Sequence, residues 1–278
     1  MKTNIPTLQS WSEKSTSDKL FCLRNIEAML VDKIDNIVCL LDSFCLPRVI
    51  VFYEKYGLNI PFRLVLPHCT TIGLTEKNVV ELFTITETPQ INIDEMTPAI
   101  KTQTKPFLIS ELPLTNNQVN SLLGTNTSTG NNRYPAYLDY ENAIKVVKTL
   151  HAVLPSEVEW ECIAKCAEEN LFTFGSLPKS LKDLAPWMHF DLSGDKISYN
   201  KFGIGGLFFG EWTRSGFSPI LSCKETAAEE GGYCIKGGGA YFWPWQDEEW
   251  VWCLSSMRMP SIDLDSGVSV VRPVILLE

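Results

Sequence analysis

Hydrophobic residues in the first part of the chain recur at helical spacing over residues 17–43. Charged residues lie between them, Ser15–Ser17 offer N-caps, and Pro47 follows the end. The pattern predicts a long amphipathic helix, whose apolar stripe must be buried in its own domain or against another protein. The stripe consists of Leu20, Leu23, Ile26, Met29, Leu30, Ile34, Ile37, Val38 and Leu41.

After Pro47 the pattern changes to short segments rich in β-branched and aromatic residues, bounded by Gly, Pro or Asn. These segments, which predict short strands, are residues 48–53, 62–67 and 79–88. Residues 89–105 are polar and contain two prolines, which is typical of a connection. We therefore expect a domain boundary near residue 100, with an N-terminal α/β region over residues 1–100.

The second part of the chain, residues 101–278, has a different order of elements. It predicts a strand at Phe107–Ser110 and helices at Asn117–Leu123, Leu138–Leu150 and Ser156–Asn170. A long irregular stretch rich in Gly, Trp and Phe follows. Few regular elements and many aromatic-glycine turns predict an α+β domain with long structured loops.

The start of the last predicted helix has a well-defined capping pattern. Ser156 is a good N-cap, and Glu159 three residues later completes a capping box. Glu157 lies in the first turn, where the helix dipole favours a carboxylate. Trp160 falls on the apolar side, so this segment predicts a well-capped, buried helix.

Short motifs accompany this helix start in a fixed order. They are Pro113–Asn116, Tyr134–Ala136, Glu141–Ala143, Phe174–Gly175, Asn200–Ile204, Gly210–Thr213, Lys236–Gly239 and Val271–Val274. Together with Leu154–Glu161, the strongest match, they resemble the formylglycine-generating enzyme (sulfatase-modifying factor) family. The resemblance covers about residues 106–278 and implies a C-type lectin-like fold.

The stretch that carries the family's best-known chemistry differs in this chain. In the oxygen-dependent enzymes of the family, two cysteines follow a Gly-Gly-Ser turn closely and bind copper. The matching stretch here, Gly239–Glu248, contains no cysteine, and Cys253 is the only thiol near it. Because Cu(I) prefers thiolate ligands, the chain is not expected to generate formylglycine or to hold a cofactor.

This chain also lacks the ligands for two other metals, calcium and iron, that the family or its relatives bind. Aligned on Glu211–Trp212, the family's calcium-binding Asn falls at Phe208, which offers no side-chain oxygen, so calcium is doubtful. The ergothioneine-type sulfoxide synthases bind iron through histidines. Only His68, His151 and His189 are present, and no two share a ligand spacing. We expect no metal and no catalytic residue.

Composition narrows the expected partners and the compartment. A net charge of −9 disfavours nucleic-acid binding, which needs a basic surface. The N-terminus has no apolar stretch of signal-peptide length, and no window reaches membrane-spanning length, so no membrane partner is expected. The nine cysteines predict reduced, mostly buried thiols in a cytoplasmic protein. Cys162 and Cys166 share a helical spacing, but core thiols are favoured over a metal pair there.

Aromatic and acidic residues crowd residues 241–252, a stretch that lines the substrate groove in the family. Trp and Tyr dominate binding hot spots, and neighbouring carboxylates favour a cationic or amide-rich partner such as a basic peptide. The candidate binding residues are Tyr241, Trp243, Trp245, Asp247, Glu248, Trp250 and Arg258.

These observations favour a non-catalytic protein-binding or scaffold module that binds a protein or peptide through an aromatic and acidic groove. One alternative is a metal-dependent oxidase of the same superfamily with an unrecognised active site. Another alternative is carbohydrate binding, which is supported only by analogy with lectin-like folds.

Overall fold

The computed structural model shows a mixed α+β fold with mainly antiparallel sheets. It describes residues 5–31, 34, 36–85, 92–124, 128, 130–176, 181–192, 196–224, 227–228, 232–237, 253–263 and 268–277. The helices are α1 (Leu8–Ser12), α2 (Thr16–Val31), α3 (Glu76–Ile85), α4 (Asn116–Leu123), α5 (Tyr140–Thr149), α6 (Glu157–Lys165) and α7 (Leu181–Leu184). The strands are β1 (Ile37–Leu40), β2 (Arg48–Tyr53), β3 (Leu58–Val65), β4 (Cys69–Ile72), β5 (Ile100–Gln103), β6 (Phe107–Ser110), β7 (Tyr137–Leu138), β8 (Glu211–Gly216), β9 (Tyr233–Lys236), β10 (Arg258–Pro260), β11 (Ser269–Val270) and β12 (Val274–Leu276).

The first sheet joins strands from both sides of the predicted boundary near residue 100. Its order is β1-β2-β3-β6-β12, with all neighbours antiparallel. Leu64 of β3 lies opposite Leu108 of β6, which in turn lies opposite Ile275 of β12. One cluster of buried hydrophobic residues runs from Trp11 to Ile275. Both parts of the chain therefore share a sheet and a core.

The second sheet, in the order β10-β9-β8-β11-β7, belongs to the C-terminal part alone. A separate two-stranded sheet pairs β4 with β5. Helix α6 packs against β8 and β9 of the second sheet and also against β4 of the N-terminal part. It therefore joins the second sheet to the N-terminal part, and most of its residues are buried. No helix of the described residues has the length and apolar character needed to cross a bilayer.

The predicted helix over residues 17–43 is wrong beyond Val31. Helix α2 ends there, Asn36 has a left-handed backbone (φ 49°), and residues 37–40 form β1 against β2. A hydrophobic repeat does not distinguish a continued helix from a helix followed by a half-buried strand. The backbone of residues 37–40 instead pairs with β2, the next strand along the chain.

The extended structure predicted for residues 79–88 is also wrong as far as residue 85. Residues 76–85 form α3, and Thr75 caps this helix because its Oγ1 accepts a hydrogen bond from the N–H of Asn78 (3.1 Å). Leu82 is buried at helical spacing from half-buried Val79 and Ile85. The β-propensity of single residues depends strongly on context, so burial of one helical face outweighs it here.

Most of the other predicted elements are confirmed. β2 and β6 have the predicted bounds, β3 overlaps residues 62–65, and α4 and α5 lie within a residue or two of their predictions. Helix α6 begins as predicted but ends at Lys165, well before Asn170, because Cys166 and Ala167 adopt left-handed backbones (φ 54° and 59°).

We expect residues 101–278 expressed alone to lack a cooperative unfolding transition. Without β3, strand β6 would lose an ordered neighbour, and buried core side chains such as Leu108 would become exposed to water. Thermal unfolding followed by circular dichroism measures this, with the full chain as control. A cooperative transition of the fragment, close to that of the full chain, would contradict the expectation.

Candidate functional site

Helix α6 is held at its first turn by the predicted capping box. Ser156 Oγ accepts a hydrogen bond from the N–H of Glu159 (3.1 Å), and Glu159 Oε2 accepts one from the N–H of Ser156 (2.8 Å). The guanidinium of Arg214 donates to both carboxylate oxygens of Glu159 (2.6 and 2.9 Å). The capping box is confirmed, and it fixes the start of the helix that carries Glu157 and Glu161.

Glu161 lies fully buried, with its carboxylate at the centre of four contacts that we call the Glu161 clamp. Its Oε1 accepts hydrogen bonds from the Gly73 N–H (2.6 Å) and Ser256 Oγ (2.8 Å) and lies 2.8 Å from Lys165 Nζ. Its Oε2 accepts from Lys236 Nζ (2.9 Å). Burial alone would raise the pKa of Glu161, but the two ammonium groups lower it to about 2.

The Glu161 clamp fixes the chain on both sides of residues 238–252. Lys236 precedes this stretch and Ser256 follows it, so a single carboxylate holds both of its flanks. The Lys236 ammonium also lies over the ring of Trp160, 5.6 Å from its centroid. Contacts with Glu161 therefore fix the chain on both sides of the aromatic and acidic residues 241–252.

Gly237, the last described residue before this stretch, requires glycine. Its φ is 77°, and a Cβ at this position would lie 2.5 Å from the carbonyl oxygen of Phe209. A left-handed conformation and the close approach of another backbone both exclude a side chain.

Arg258 is the one predicted binding residue within the described part of the chain. It is buried, donates to both oxygens of Glu157 (2.6 and 2.9 Å), and also bonds the carbonyl oxygens of Ser218 and Glu95. Arg258 therefore holds helix α6 through Glu157, and it reaches the N-terminal part through the carbonyl oxygen of Glu95. The other predicted binding residues, Tyr241, Trp243, Trp245, Asp247, Glu248 and Trp250, lie outside the described residues.

Phe208 and Glu211, which align with the family's calcium-binding loop, both contact other side chains of the structure. Phe208 is buried, and its ring stacks with that of Phe174. Glu211 is fully buried, and both of its oxygens accept from Arg272 (2.8 Å each). Within the ranges that the structure describes, no group of three or more His, Cys, Asp and Glu side chains could hold a metal ion.

His68 lines a cavity of about 680 Å³ together with Trp11 and Phe202, and it contacts the fully buried Cys162. His68 Nε2 lies 3.2 Å from Cys162 Sγ, and His68 Nδ1 lies 2.7 Å from the carbonyl oxygen of Leu66. Burial raises the pKa of the Cys162 thiol and lowers that of His68. Both groups are therefore held neutral, which disfavours the thiolate needed for nucleophilic chemistry.

The nine cysteines are all free. Cys162, Cys166, Cys234 and Cys253 are buried, as expected for core thiols, whereas Cys45 and Cys69 are exposed. Burial raises the pKa of Cys166 to about 12, so this thiol stays protonated at neutral pH.

The sequence alone assigned no role to Glu161, Lys165, Lys236 or Ser256, although Glu161 and Lys236 lie within the quoted motifs. The available signal was a charged residue inside an apolar run, as in Trp160-Glu161-Cys162-Ile163. A charge in such a place requires a buried partner, but the sequence does not say which one.

We expect Ser256→Ala to lower the free energy of unfolding by about 2 kcal/mol, because the substitution removes a hydrogen bond to a buried carboxylate. Ser255→Ala is the matched control. The hydroxyl of Ser255 is buried without a hydrogen-bond partner in the described structure, so its loss should be neutral or slightly stabilising. Urea unfolding measures both variants, and equal effects would contradict the clamp.

The stability contributed by Glu161 should depend on pH. Its pKa is lowered in the folded state, so the contribution is fully present above its ordinary value of 4.5 and is lost as pH falls toward about 2. The difference in unfolding free energy between the wild type and Glu161→Gln should therefore shrink over this range, by roughly 3 kcal/mol. Denaturant unfolding between pH 6 and pH 2 (about four units) tests this. A constant difference would contradict it.

Comparison with known proteins gives a likeness in structure alone. No protein-family model and no curated protein sequence matches this chain. Among solved structures, Treponema denticola variable protein 1 is similar, with a TM-score of 0.56 at 13% sequence identity. The match covers 82% of this chain and 98% of that one, so it includes the N-terminal part as well as the C-terminal part. At this identity the similarity concerns the fold.

Proposed function

We propose that this chain is a non-catalytic protein-binding or scaffold module built on a C-type lectin-like fold of the formylglycine-generating-enzyme type. The observation that carries the proposal is the Glu161 clamp, which holds both flanks of the aromatic and acidic residues 241–252. Binding residues are commonly placed on loops that a rigid scaffold positions. A clamped stretch of this composition fits that arrangement.

The contacts between motifs support the proposed fold type. Lys236 of one motif pairs with Glu161 of another, and Arg272 pairs with Glu211 in the same way. The side chain of Asn200 accepts hydrogen bonds from the N–H groups of Phe202 and Ile204 (3.0 and 3.1 Å). The motif residues that carry the resemblance are therefore in contact or form tight turns, as residues that specify a common frame would.

The composition of residues 241–252 supports a partner that is a protein or peptide. Four Trp side chains supply large, rigid contact area, and Asp247, Glu248 and Glu249 favour a basic or amide-rich segment.

The alternative of a metal-dependent oxidase is distinguished by metal analysis of the purified protein. Copper or iron at one equivalent per chain would favour the oxidase over the binding module.

We expect Trp243→Ala/Trp245→Ala to reduce partner capture from an extract of the native host at least tenfold while the chain stays folded. Truncating hot-spot tryptophans commonly costs more than about 2 kcal/mol of binding. The control is Phe83→Ala, which removes an exposed aromatic side chain from α3. Capture is quantified against the wild type, and unfolding curves check the fold. Unchanged capture by a folded double variant would refute the proposal.

A further inference from the structure

The cavity that His68 lines lies where the N-terminal and C-terminal parts of the chain meet. Its lining comes from α1, the start of α2 and residues 41–45 on one side of the sequence, and from residues 166–167 and 201–202 on the other. Its volume of about 680 Å³ falls within the range of small-molecule sites, roughly 300–1,000 Å³. Such sites are common where two parts of a fold adjoin.

Aromatic side chains from four segments contribute to the lining of this cavity. Trp11 and Phe202 are almost fully buried and form its inner wall, and the indole N–H of Trp11 donates to the carbonyl oxygen of Cys45 (3.0 Å). Phe44 and His68 are partly exposed. Both ring nitrogens of His68 already have partners within the protein, so this ring offers a ligand its carbon surface. A lining of this kind favours a ligand that carries a ring.

The charged groups at the cavity leave an excess of positive charge. Among the described lining residues, these groups are Lys19, Lys201 and Asp42. The Asp42 carboxylate is neutralised, because both of its oxygens accept hydrogen bonds from the buried guanidinium of Arg63 (2.9 and 2.7 Å). Lys201 pairs with Glu168, but about half of each side chain is exposed, so water screens this pair.

Lys19 is the cation best placed to meet an anionic ligand. Its ammonium lies 5.7 Å from the centroid of the Trp11 ring, and it forms no ion pair with a carboxylate of the described residues. Thr16, the first residue of the 16-residue helix α2, lines the same cavity, and the positive end of a helix favours an anion. The carboxylate of Asp18 accepts a hydrogen bond from Ser15 Oγ (2.6 Å), and Asp18 does not line the cavity.

We infer that this cavity binds a small aromatic carboxylate. The ring of the ligand lies against the aromatic lining, and its carboxylate lies beside Lys19 and the start of α2. The aromatic side chains favour the ring, and the excess of positive charge favours the anion. This site goes beyond the proposed function, because its ligand is not a protein and the residues that carry it lie outside residues 241–252.

The probes for this inference are phenylacetate and indole-3-acetate. Indole-3-acetamide is the uncharged analogue of the second probe, and acetate is the anion without a ring. Isothermal titration calorimetry of the full chain measures their binding. We expect both aromatic carboxylates to bind with a Kd below about 1 mM, the amide to bind about tenfold more weakly, and acetate to give no measurable binding.

Two variants locate the binding in this cavity. Lys19→Gln should weaken binding of indole-3-acetate by about tenfold, because it removes the cation, and Lys77→Gln on the surface of α3 is the control. Cys45→Trp should abolish binding, because the larger side chain fills the cavity while the backbone hydrogen bonds of this residue remain. Cys69→Trp, at an exposed cysteine that does not line the cavity, is the matched control.

Unfolding curves check that each variant is folded. If neither aromatic carboxylate binds the wild-type chain, or if folded Cys45→Trp binds indole-3-acetate as the wild type does, the inference is wrong. Equal binding of the amide and the carboxylate, or an unchanged Kd for Lys19→Gln, would overturn the assignment of an anionic ligand. No protein partner takes part in these measurements, so their outcome is independent of whether the proposed function holds.

Discussion

The fold depends on the burial of one carboxylate, that of Glu161. Removing a charge from water costs several kcal/mol, so the carboxylate is stable only while its partners surround it. Those partners come from four places: the backbone of Gly73, Lys165 in the same helix, Lys236 in β9 and Ser256 after the aromatic stretch. Lys165 extends the connection, because its ammonium also donates to the carbonyl oxygens of Thr71 and Gly73 (3.2 and 2.6 Å). Displacing any one of these segments would leave a buried charge without its counterpart.

Other buried ion pairs explain how very short strands hold their positions. β11 has two residues and β10 has three, too few for their ladders to fix the register. Beside β11, Arg272 bonds both oxygens of Glu211 in β8, and at the start of β10, Arg258 bonds both oxygens of Glu157 in α6. A bidentate guanidinium–carboxylate contact fixes direction as well as distance. The second sheet is therefore held by side-chain contacts as well as by its backbone hydrogen bonds.

The local parts of this structure could be predicted from the sequence, and the distant contacts could not. The capping box of Ser156 and Glu159 spans three residues, and the strand Phe107–Ser110 is a compact apolar run. By contrast, Glu161 finds Gly73, Lys236 and Ser256 at separations of 88, 75 and 95 residues. The errors at residues 37–40 and 76–85 have another cause, because their hydrophobic patterns fit either a helix or a strand. Residues 37–40 pair with the next strand, β2, and residues 76–85 form a helix that Thr75 caps and that buries Leu82.

A fixed frame matters for binding because a flexible segment loses conformational entropy when a partner orders it, and this loss subtracts from affinity. Under the proposed function, holding both flanks of residues 238–252 would remove part of that freedom before a partner binds. The contacts that hold the flanks come from Glu161, Lys236 and Ser256, and none of them uses a side chain from residues 241–252. Side chains within that stretch can therefore differ while these contacts persist. Under the proposed function, the residues that hold this frame are therefore different from those that would bind the partner.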